Sequence, residues 1–288
     1  MQLDTESLRT YLAVLQTGGM TSAATQLGIS QSAVSWKIKR LEERVGSDLL
    51  VREGRSVRAS SEGEQLLPYA RTIVSAHDEA VARLTSSELT GRLRLGATEE
   101  VSADCVGTVV GRFNRIHPGV TIEVVVDRGQ HLQDLLDRGS LDVALLQVTP
   151  EDERPGDTRL WEDDQLWISS PEWTYDEGVV PLVTFGESGF YRPLAEQLLA
   201  EAGIEHQVAF SGPSSASVIA AVEAGLGVAM LSGRSVSGDI IPWPRGSTLP
   251  PLPVLHQVAR ASKGRPSDIV SELIVDLVQE LAEPDDLS

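Results

Sequence analysis

The chain has 288 residues, long enough for two or three domains that each bury a core, and a formal net charge of −18 at pH 7. This charge excludes a polycationic nucleic-acid coat, and the absence of any run of 18 or more apolar residues argues against a membrane span. Cys105 is the only cysteine, so an intramolecular disulfide is excluded.

The N-terminal residues predict a helix over 5–17, with Leu8, Tyr11 and Leu15 on its inward face and a break at Gly18-Gly19. They contain no basic region followed by an apolar stretch and a cleavage site. We therefore expect no secretory signal and a cytoplasmic location.

Residues 21–41, TSAATQLGISQSAVSWKIKRL, predict two short helices around a tight turn. Thr21 is the expected N-cap of the first helix, Gly28 suits the left-handed geometry at its end, and Ser30 can cap the second. The second helix has an apolar back and a front of amide, hydroxyl, indole and basic groups: Gln31, Ser32, Ser35, Trp36, Lys37, Lys39 and Arg40. Such a front suits the DNA major groove, where Gln and Ser read base edges and Lys or Arg meets phosphate. The alternative is an ordinary surface helical hairpin.

Residues 49–59 predict a two-stranded wing with a turn at Glu53-Gly54. Arg52, Arg55 and Arg58 are placed to contact the DNA backbone or the minor groove, and the alternative is a solvated charged loop. Residues 1–60 hold eight Lys and Arg against six Asp and Glu, a net of +2, so the rest of the chain carries −20. Positive charge is therefore concentrated where DNA contact is predicted.

A long helix should follow the wing as far as about residue 89, starting from a capping box of Ser61 and Glu64, with Pro68 kinking it. Its apolar positions alternate by four and three residues, as in a two-helix seam: Leu66, Ala70, Ile73, His77, Ala80 and Leu84. Because one helix cannot bury this stripe alone, we expect a symmetric homodimer. The alternative is that this face packs on its own chain.

The segment over residues 18–63 resembles the winged helix-turn-helix of LysR-type transcriptional regulators. The matching features are the small-residue helix, SQSAVS, the RLEERVG run and the LLVR step into a basic wing, and the resemblance extends over nearly the whole chain. Ser32, Trp36 and Leu50 depart from the usual family residues. The resemblance implies a linker helix that sets two reading heads on two DNA half-sites, a tetramer of two dimers, and RNA polymerase as a candidate partner.

From residue 91 the chain alternates strands and helices, which predicts a largely parallel sheet with right-handed crossovers. The resemblance implies two hinged α/β lobes, like a type 2 periplasmic binding protein. The expected fold is thus a multidomain α/β protein with a DNA-binding domain at 1–60, a linker helix at 61–90 and a regulatory domain at 91–288. In that domain lobe I takes in about 91–160 and 253–288, and lobe II about 161–252.

Ligands of open α/β lobes lie beyond the carboxyl ends of strands and near helix N-termini. The candidate effector-binding residues at such positions are Thr98, Glu99, Glu100, Gln147, Phe185, Glu187, Ser188, Ser214, Ser215 and Ser217. Each hydroxyl taken alone is better explained as a helix cap, whereas the whole set favours a cleft.

Glu99 and Glu100 place negative charge beside the helix predicted to begin near residue 102. An effector should therefore be neutral or cationic where it meets lobe I, because an anion would be repelled in a cleft of low dielectric constant. The alternative is that both glutamates face solvent and cap the helix.

Catalytic motifs are missing from the sequence. The five histidines show neither a nucleophile motif nor metal-ligand spacing, and Gly225-Leu-Gly227 lacks the rest of a dinucleotide fingerprint, so we expect no enzyme, cofactor or metal. Four functions remain: a regulator that responds to a small molecule, a regulator controlled by a protein partner or by abundance, a solute-binding protein, and an enzyme such as a dehydratase. A solute-binding protein would need a secretion signal and an enzyme would not need residues 1–60, so the first two are favoured.

Overall fold

The computed structural model describes residues 3–54, 56–85, 88–101, 106–175, 178–186, 190–236, 239–264 and 266–281, except for the side chain of Glu100. The chain divides into two compact units. We call the first, Met1–Glu88 with Arg115–His117, the winged-helix unit, and the second, Leu89–Asn114 with Pro118–Ser288, the α/β unit.

The winged-helix unit begins with three short helices and a hairpin and ends in a long helix. Its elements are α1 (Thr5–Thr17), α2 (Met20–Leu27), α3 (Gln31–Val45), β1 (Leu50–Glu53), β2 (Ser56–Ala59) and α4 (Ser61–Thr85). The turn from α2 to α3 is fixed locally, because Gly28 ends α2 at φ 62° and the Ser30 hydroxyl accepts a hydrogen bond from the Ala33 amide at 3.2 Å. These elements confirm the predicted helix-turn-helix and wing.

Two predicted caps are wrong. Helix α2 begins at Met20, after an extended Gly19, so Thr21 already lies inside the helix and cannot cap it. Helix α4 is capped by Ser60, whose hydroxyl accepts a hydrogen bond from the Gly63 amide at 3.0 Å, while Ser61 is already helical. The same helix continues through Pro68, as predicted, and ends at Thr85, short of the predicted limit near residue 89.

The core of the winged-helix unit is made by the inward faces of all four helices. Leu8 and Tyr11 of α1 pack with Val34 of α3, and all three side chains are fully buried. Ala70 and Val74 of α4 enter the same core. The long helix is therefore part of this core over its first half.

The α/β unit contains strands and helices, which alternate in its first part. Its elements are β3 (Thr90–Ala97), α5 (Glu99–Val101), α6 (Gly107–Ile116), β4 (Gly119–Val126), α7 (Gly129–Asp137), β5 (Val143–Val148), β6 (Thr158–Ser169), β7 (Val180–Phe185), α8 (Tyr191–Glu201), β8 (His206–Gly212), α9 (Ser215–Glu223), β9 (Ala229–Ser232), β10 (Ile241–Pro242), β11 (Val254–Ala261) and α10 (Asp268–Leu281). Among the described residues, β5 to β7 and β9 to β11 follow one another without an α-helix between them.

The strands form a seven-stranded sheet in the order β10-β6-β11-β5-β3-β4, with β9 also paired to β6, and a separate parallel pair β7-β8. Strand β3 is parallel to β4 and β5, but β11 runs antiparallel to β5 and β6, and β9 and β10 run antiparallel to β6. The prediction of a largely parallel sheet is thus wrong for these four strands. The cause is the long strand β6, which pairs with β11 over its first half and with β9 and β10 over its second.

The α/β unit has several separate clusters of buried apolar side chains. One surrounds β3, α6 and α10, and others lie around β7, α8 and α9. The mixed α/β class with an N-terminal winged helix-turn-helix is confirmed, while the lobe boundaries stay a prediction.

Candidate functional sites

The outer face of α3 is polar and solvated, while its back is held by the core. Val34, Ile38 and Leu41 are buried, whereas the Trp36 side chain is 57% exposed. Also exposed on this face are Gln31, Ser32, Lys39 and Arg40, and Ser35 and Lys37 are half-buried. The helix is therefore fixed in place while it presents hydrogen-bonding and basic groups to a partner.

Two contacts order the side chains along this face. Gln31 donates a hydrogen bond from Nε2 to the Ser35 hydroxyl at 3.0 Å. The Arg40 guanidinium carbon lies 5.0 Å from the centroid of the Trp36 ring, a cation–π geometry. The indole thus packs on its own helix and holds the guanidinium beside it.

Two of the predicted phosphate-binding residues form ion pairs with acidic side chains of their own chain. Lys37 Nζ lies 2.5 Å from Glu6 Oε2, and Arg58 Nε lies 2.5 Å from Glu53 Oε2. The acids of both pairs are exposed, and pairs at the surface contribute only about 0–1 kcal/mol, so a phosphate can replace the acid. Arg52 and Thr21 are exposed, and Arg55 lies outside the described residues.

The predicted seam of α4 divides into a buried part and an exposed part. Ala70 is fully buried in the core of its own unit and Leu66 packs on that core, so the prediction that they face a partner is wrong. Ile73 and Leu84 are 36% and 86% exposed. We call the exposed residues along this side of α4 the α4 strip: Tyr69, Ile73, His77, Ala80, Val81 and Leu84.

The α/β unit contains a small, partly open space lined mainly by polar side chains, which we call the polar cavity. Its volume is about 20 Å³, and it is lined by Thr98, Val101, Gln147, Trp161, Asp163, Ser232, Arg234, Ser235 and Gln257. A volume of this size is close to what one water molecule needs. Two of the predicted effector residues, Thr98 and Gln147, lie in its wall.

Asp163 is the centre of the hydrogen bonds in this wall. Its Oδ1 accepts from the Ser232 hydroxyl at 2.5 Å and its Oδ2 from Gln147 Nε2 at 2.7 Å, while Tyr191 donates to Gln147 Oε1 at 3.0 Å. Burial raises the pKa of the Asp163 carboxyl, although these bonds and the charge of Arg234 act in the opposite direction. The carboxylate is thus both desolvated and specifically held.

The remaining predicted effector residues serve mainly to fix helix α9. Ser214 and Ser217 form a reciprocal capping box at its start, and Glu99 Oε2 accepts a hydrogen bond from the Ser215 amide at 3.4 Å. Glu99 therefore contacts the N-terminal end of α9, while residues 102–105, where a helix was predicted to begin, lie outside the described residues. Phe185 stacks on Tyr191 at 5.1 Å between ring centroids. Glu187, Ser188 and the side chain of Glu100 lie outside the described residues.

Sequence reasoning missed most of the cavity wall, including Trp161, Asp163, Ser232 and Gln257. One signal was present in β6, where Trp161, Asp163, Gln165 and Trp167 are buried and the intervening Glu162 and Asp164 are exposed. A period of two anchored on the two tryptophans places the carboxyl of Asp163 on the inner face.

Within the part of the chain that the structure describes, no group of three or more His, Cys, Asp and Glu side chains is arranged to hold a metal ion. None of the helices described is long and apolar enough to cross a lipid bilayer.

Two family models match the chain. The model described as bacterial regulatory helix-turn-helix protein, lysR family, matches residues 5–64, and the LysR substrate binding domain matches residues 86–269. The first match covers the helix-turn-helix and the wing, and the second covers most of the α/β unit.

The chain is also similar to whole proteins. It is 32% identical over 254 residues to the HTH-type transcriptional regulator PecT of Dickeya dadantii (strain 3937), covering 88% of this chain and 80% of that protein. It is 28% identical over 272 residues to the HTH-type transcriptional regulator DgdR of Burkholderia cepacia, covering 93% and 91%.

Solved structures share the fold. CrgA, a LysR-type transcriptional regulator from Neisseria meningitidis, has a TM-score of 0.54 at 22% identity over 98% of this chain and 100% of that one. Vibrio fischeri DarR in complex with DNA has a TM-score of 0.54 at 17% identity over 96% and 99%.

Proposed function

This chain belongs to the LysR family of bacterial transcriptional regulators, and we propose that it reads double-stranded DNA with the outer face of α3 in the major groove. The observation that carries the proposal is the division of α3 into a buried apolar back and a solvated front of amide, hydroxyl and basic groups. Gln31, Ser32 and Ser35 read base edges, because amide and hydroxyl groups can donate and accept there.

The basic residues around this face contact the sugar–phosphate backbone. Lys37, Lys39, Arg52 and Arg58 carry positive charge on α3 and the wing, which suits contact with phosphate. The indole of Trp36 holds the guanidinium of Arg40 by cation–π contact and presents an apolar edge to sugar or to a thymine methyl group.

Two copies associate through the α4 strip and bind an interrupted inverted repeat. The support is the row of exposed apolar side chains on α4, which a monomer leaves in water. A two-fold dimer places its reading helices on one face of the duplex, with half-sites separated by whole helical turns. A tetramer of two such dimers and a contact with RNA polymerase belong to the same proposal, and the chain acts in the cytoplasm, where bacterial operators lie.

A small molecule bound in the α/β unit changes DNA binding in this proposal, and the chain itself catalyses no reaction. Support for the ligand comes from the match to a substrate binding domain and from the polar cavity. A second candidate is a regulator controlled by a protein partner or by abundance alone. The volume of about 20 Å³ favours this second candidate, because a whole metabolite needs more space.

The test is genome-wide occupancy of the protein, measured with and without candidate metabolites and compared with a Gln31→Ala variant. We expect occupied sites to share an interrupted inverted repeat and Gln31→Ala to relax one position in each half. Sites that change with a metabolite support the ligand-responsive regulator, and unchanged sites support the second candidate. Occupancy without a shared motif contradicts sequence-specific binding.

A further inference from the structure

The floor of the polar cavity is built from three neighbouring strands. Gln257 of β11 lies opposite Gln147 of β5 on one side and opposite Trp161 of β6 on the other. Residues paired across antiparallel strands point to the same face, so these three side chains form a row. Asp163 lies two residues beyond Trp161 and shares that face. Hydrogen-bonding groups from distant parts of the sequence thus meet on one surface.

Asp163 has the capacity to accept further hydrogen bonds. The carboxylate accepts bonds from the side chains of Ser232, Gln147 and Gln165, whereas an ionised carboxylate has about four acceptor positions. The bond from Tyr191 to Gln147 Oε1 fixes the amide with its nitrogen toward Asp163. A ligand group that meets this carboxylate must therefore donate.

Gln257 requires the opposite from a ligand, namely a hydrogen-bond acceptor. Its side chain is 2% exposed, it lines the cavity, and its Nε2 has no hydrogen-bond partner among the described residues. A buried amide donor without a partner is costly, so a ligand acceptor beside it gains binding free energy. The ligand must therefore accept a hydrogen bond here while it donates to Asp163.

The volume of the polar cavity and the charges in its wall limit which chemical groups a ligand can place there. A cavity of about 20 Å³, close to the space of one water molecule, admits only the outermost donor and acceptor of a head group, with the rest of the ligand outside it. A carboxylate brings two acceptors and no donor, so it cannot donate to Asp163, even though the charge of Arg234 in the same wall attracts an anion. An amidinium brings donors only and leaves Gln257 without a partner. A carboxamide has an N–H donor next to a carbonyl acceptor, in a neutral group.

We propose that the polar cavity recognises the carboxamide head group of a small molecule, with its N–H donating to Asp163 and its carbonyl accepting from Gln257. This inference rests on the proposed function, since it names the chemical class of the molecule that controls DNA binding. Selectivity for this head group comes from two side chains of opposite hydrogen-bonding character in one wall.

The experiment titrates the full-length protein, without DNA, with three probes of equal size: acetamide, acetate and acetamidinium. Binding is measured by saturation-transfer NMR at pH 7.5. We expect acetamide to bind at least about tenfold more tightly than either charged probe, equivalent to about 1.4 kcal/mol. Tighter binding of acetate or of acetamidinium, or no binding of any probe, overturns the proposal.

Two variants and one control assign the selectivity to residues. Gln257→Met should lose about tenfold in acetamide affinity and leave the binding of acetamidinium unchanged. Asp163→Asn adds a donor and removes the charge, so acetate should gain affinity while acetamide loses it. Asp164→Asn removes a carboxylate from the exposed face of β6 and should change none of the three affinities. If Asp163→Asn fails to fold, Gln257→Met still decides, since an unchanged acetamide affinity in that variant overturns the proposal.

Operator binding, measured separately without probe, keeps the two proposals apart. A protein that binds an inverted repeat but shows no carboxamide selectivity contradicts only the ligand class. A protein that selects acetamide but binds no operator contradicts the proposed regulator.

Discussion

The two units place their polar side chains differently. In the winged-helix unit the buried polar side chains of α1 bond within their own helix, with the hydroxyl of Ser7 donating to Asp4 at 3.1 Å and that of Thr10 to the Glu6 carbonyl at 2.8 Å. In the α/β unit Asp163, Gln257 and Arg260 are all buried and bond or face residues that are distant in the sequence. The proposed DNA-reading face is therefore on the surface of the winged-helix unit, whereas the proposed ligand site is among buried side chains of the α/β unit.

Because of this difference, we expect substitutions on the surface of the winged-helix unit to change DNA affinity without changing stability. Substitutions of buried polar groups in the α/β unit should change the free energy of unfolding as well. Side chains on the solvated face of α3 lose little hydration on folding, so their removal should change DNA affinity and leave the fold intact. Buried polar groups of the α/β unit depend on one another, because each pays a desolvation cost that its partner offsets. The same type of substitution should therefore have unlike effects in the two units.

The largest effect tests this contrast with two ion pairs. Arg260 and Asp157 have side chains 7% and 1% exposed, whereas Arg58 and Glu53 of the wing are 63% and 62% exposed. Asp157→Ala leaves a buried guanidinium without its acid and should cost about 3–5 kcal/mol of unfolding free energy. Glu53→Ala should cost less than about 0.5 kcal/mol. Urea unfolding of both variants measures the difference, and equal losses would remove the distinction between the units.

The next prediction concerns the α4 strip, a row of exposed side chains that includes several apolar ones. Ile73 lies on the α4 strip and is 36% exposed, and Ile73→Asp should leave each unit folded while the dimer dissociates. A carboxylate buried at the seam costs about 3 kcal/mol of association free energy, more than about a hundredfold in the dissociation constant. Analytical ultracentrifugation gives the association state and circular dichroism the fold. Unchanged sedimentation would show that the strip is not the dimer seam.

A smaller effect is expected on the reading face. Gln31→Ala removes the amide that bonds to Ser35 and should cost about 1–3 kcal/mol of operator binding, with one base position relaxed. Its melting temperature should stay close to that of the unchanged protein, because the side chain is exposed. Binding titrations with operator and random duplexes provide the measurement. An equal loss on both duplexes would mean that Gln31 contacts the backbone and reads no base.

The two units also differ in how far the sequence predicts them. The helix-turn-helix depends on signals between near neighbours, such as the left-handed Gly28 followed by the capping Ser30, and these lie together in the sequence. The predicted cap was two residues too late at α2 and one residue too late at α4, because a cap is decided by where the first helical residue falls. The pattern of exposed residues on α3 followed directly from its helical period.

The polar cavity could be predicted only in part, since it depends on pairing between distant strands. Thr98 directly follows β3 and Gln147 lies near the carboxyl end of β5, so the rule that ligands lie at strand ends predicts both. Gln257 faces the cavity because β11 returns antiparallel between β5 and β6, and nothing in its local sequence gives that position. Hydroxyls were misleading in the same region, since Ser214 and Ser217 look like ligands but cap α9.

The smallest effect concerns charge at the edge of the reading face. Lys37 Nζ is held 2.5 Å from Glu6 Oε2, so a phosphate must replace this acid before Lys37 can contact DNA. If it does, Lys37→Gln should weaken operator and random DNA alike and lower the slope of log affinity against log salt by about 0.9 per subunit. Glu6→Gln frees the ammonium group of Lys37 and should strengthen the binding of both operator and random duplexes.

Glu43→Gln is the control, because it removes an exposed acid from α3 without releasing Lys37. A gain in affinity for Glu6→Gln that exceeds the gain for Glu43→Gln reports the released ion pair, since long-range attraction alone would act in both variants. Equal gains, together with an unchanged salt slope in Lys37→Gln, would show that the pair with Glu6 persists on DNA. In that case the ion pair between Lys37 and Glu6 would serve to hold α1 against α3, and Lys37 would not contact DNA.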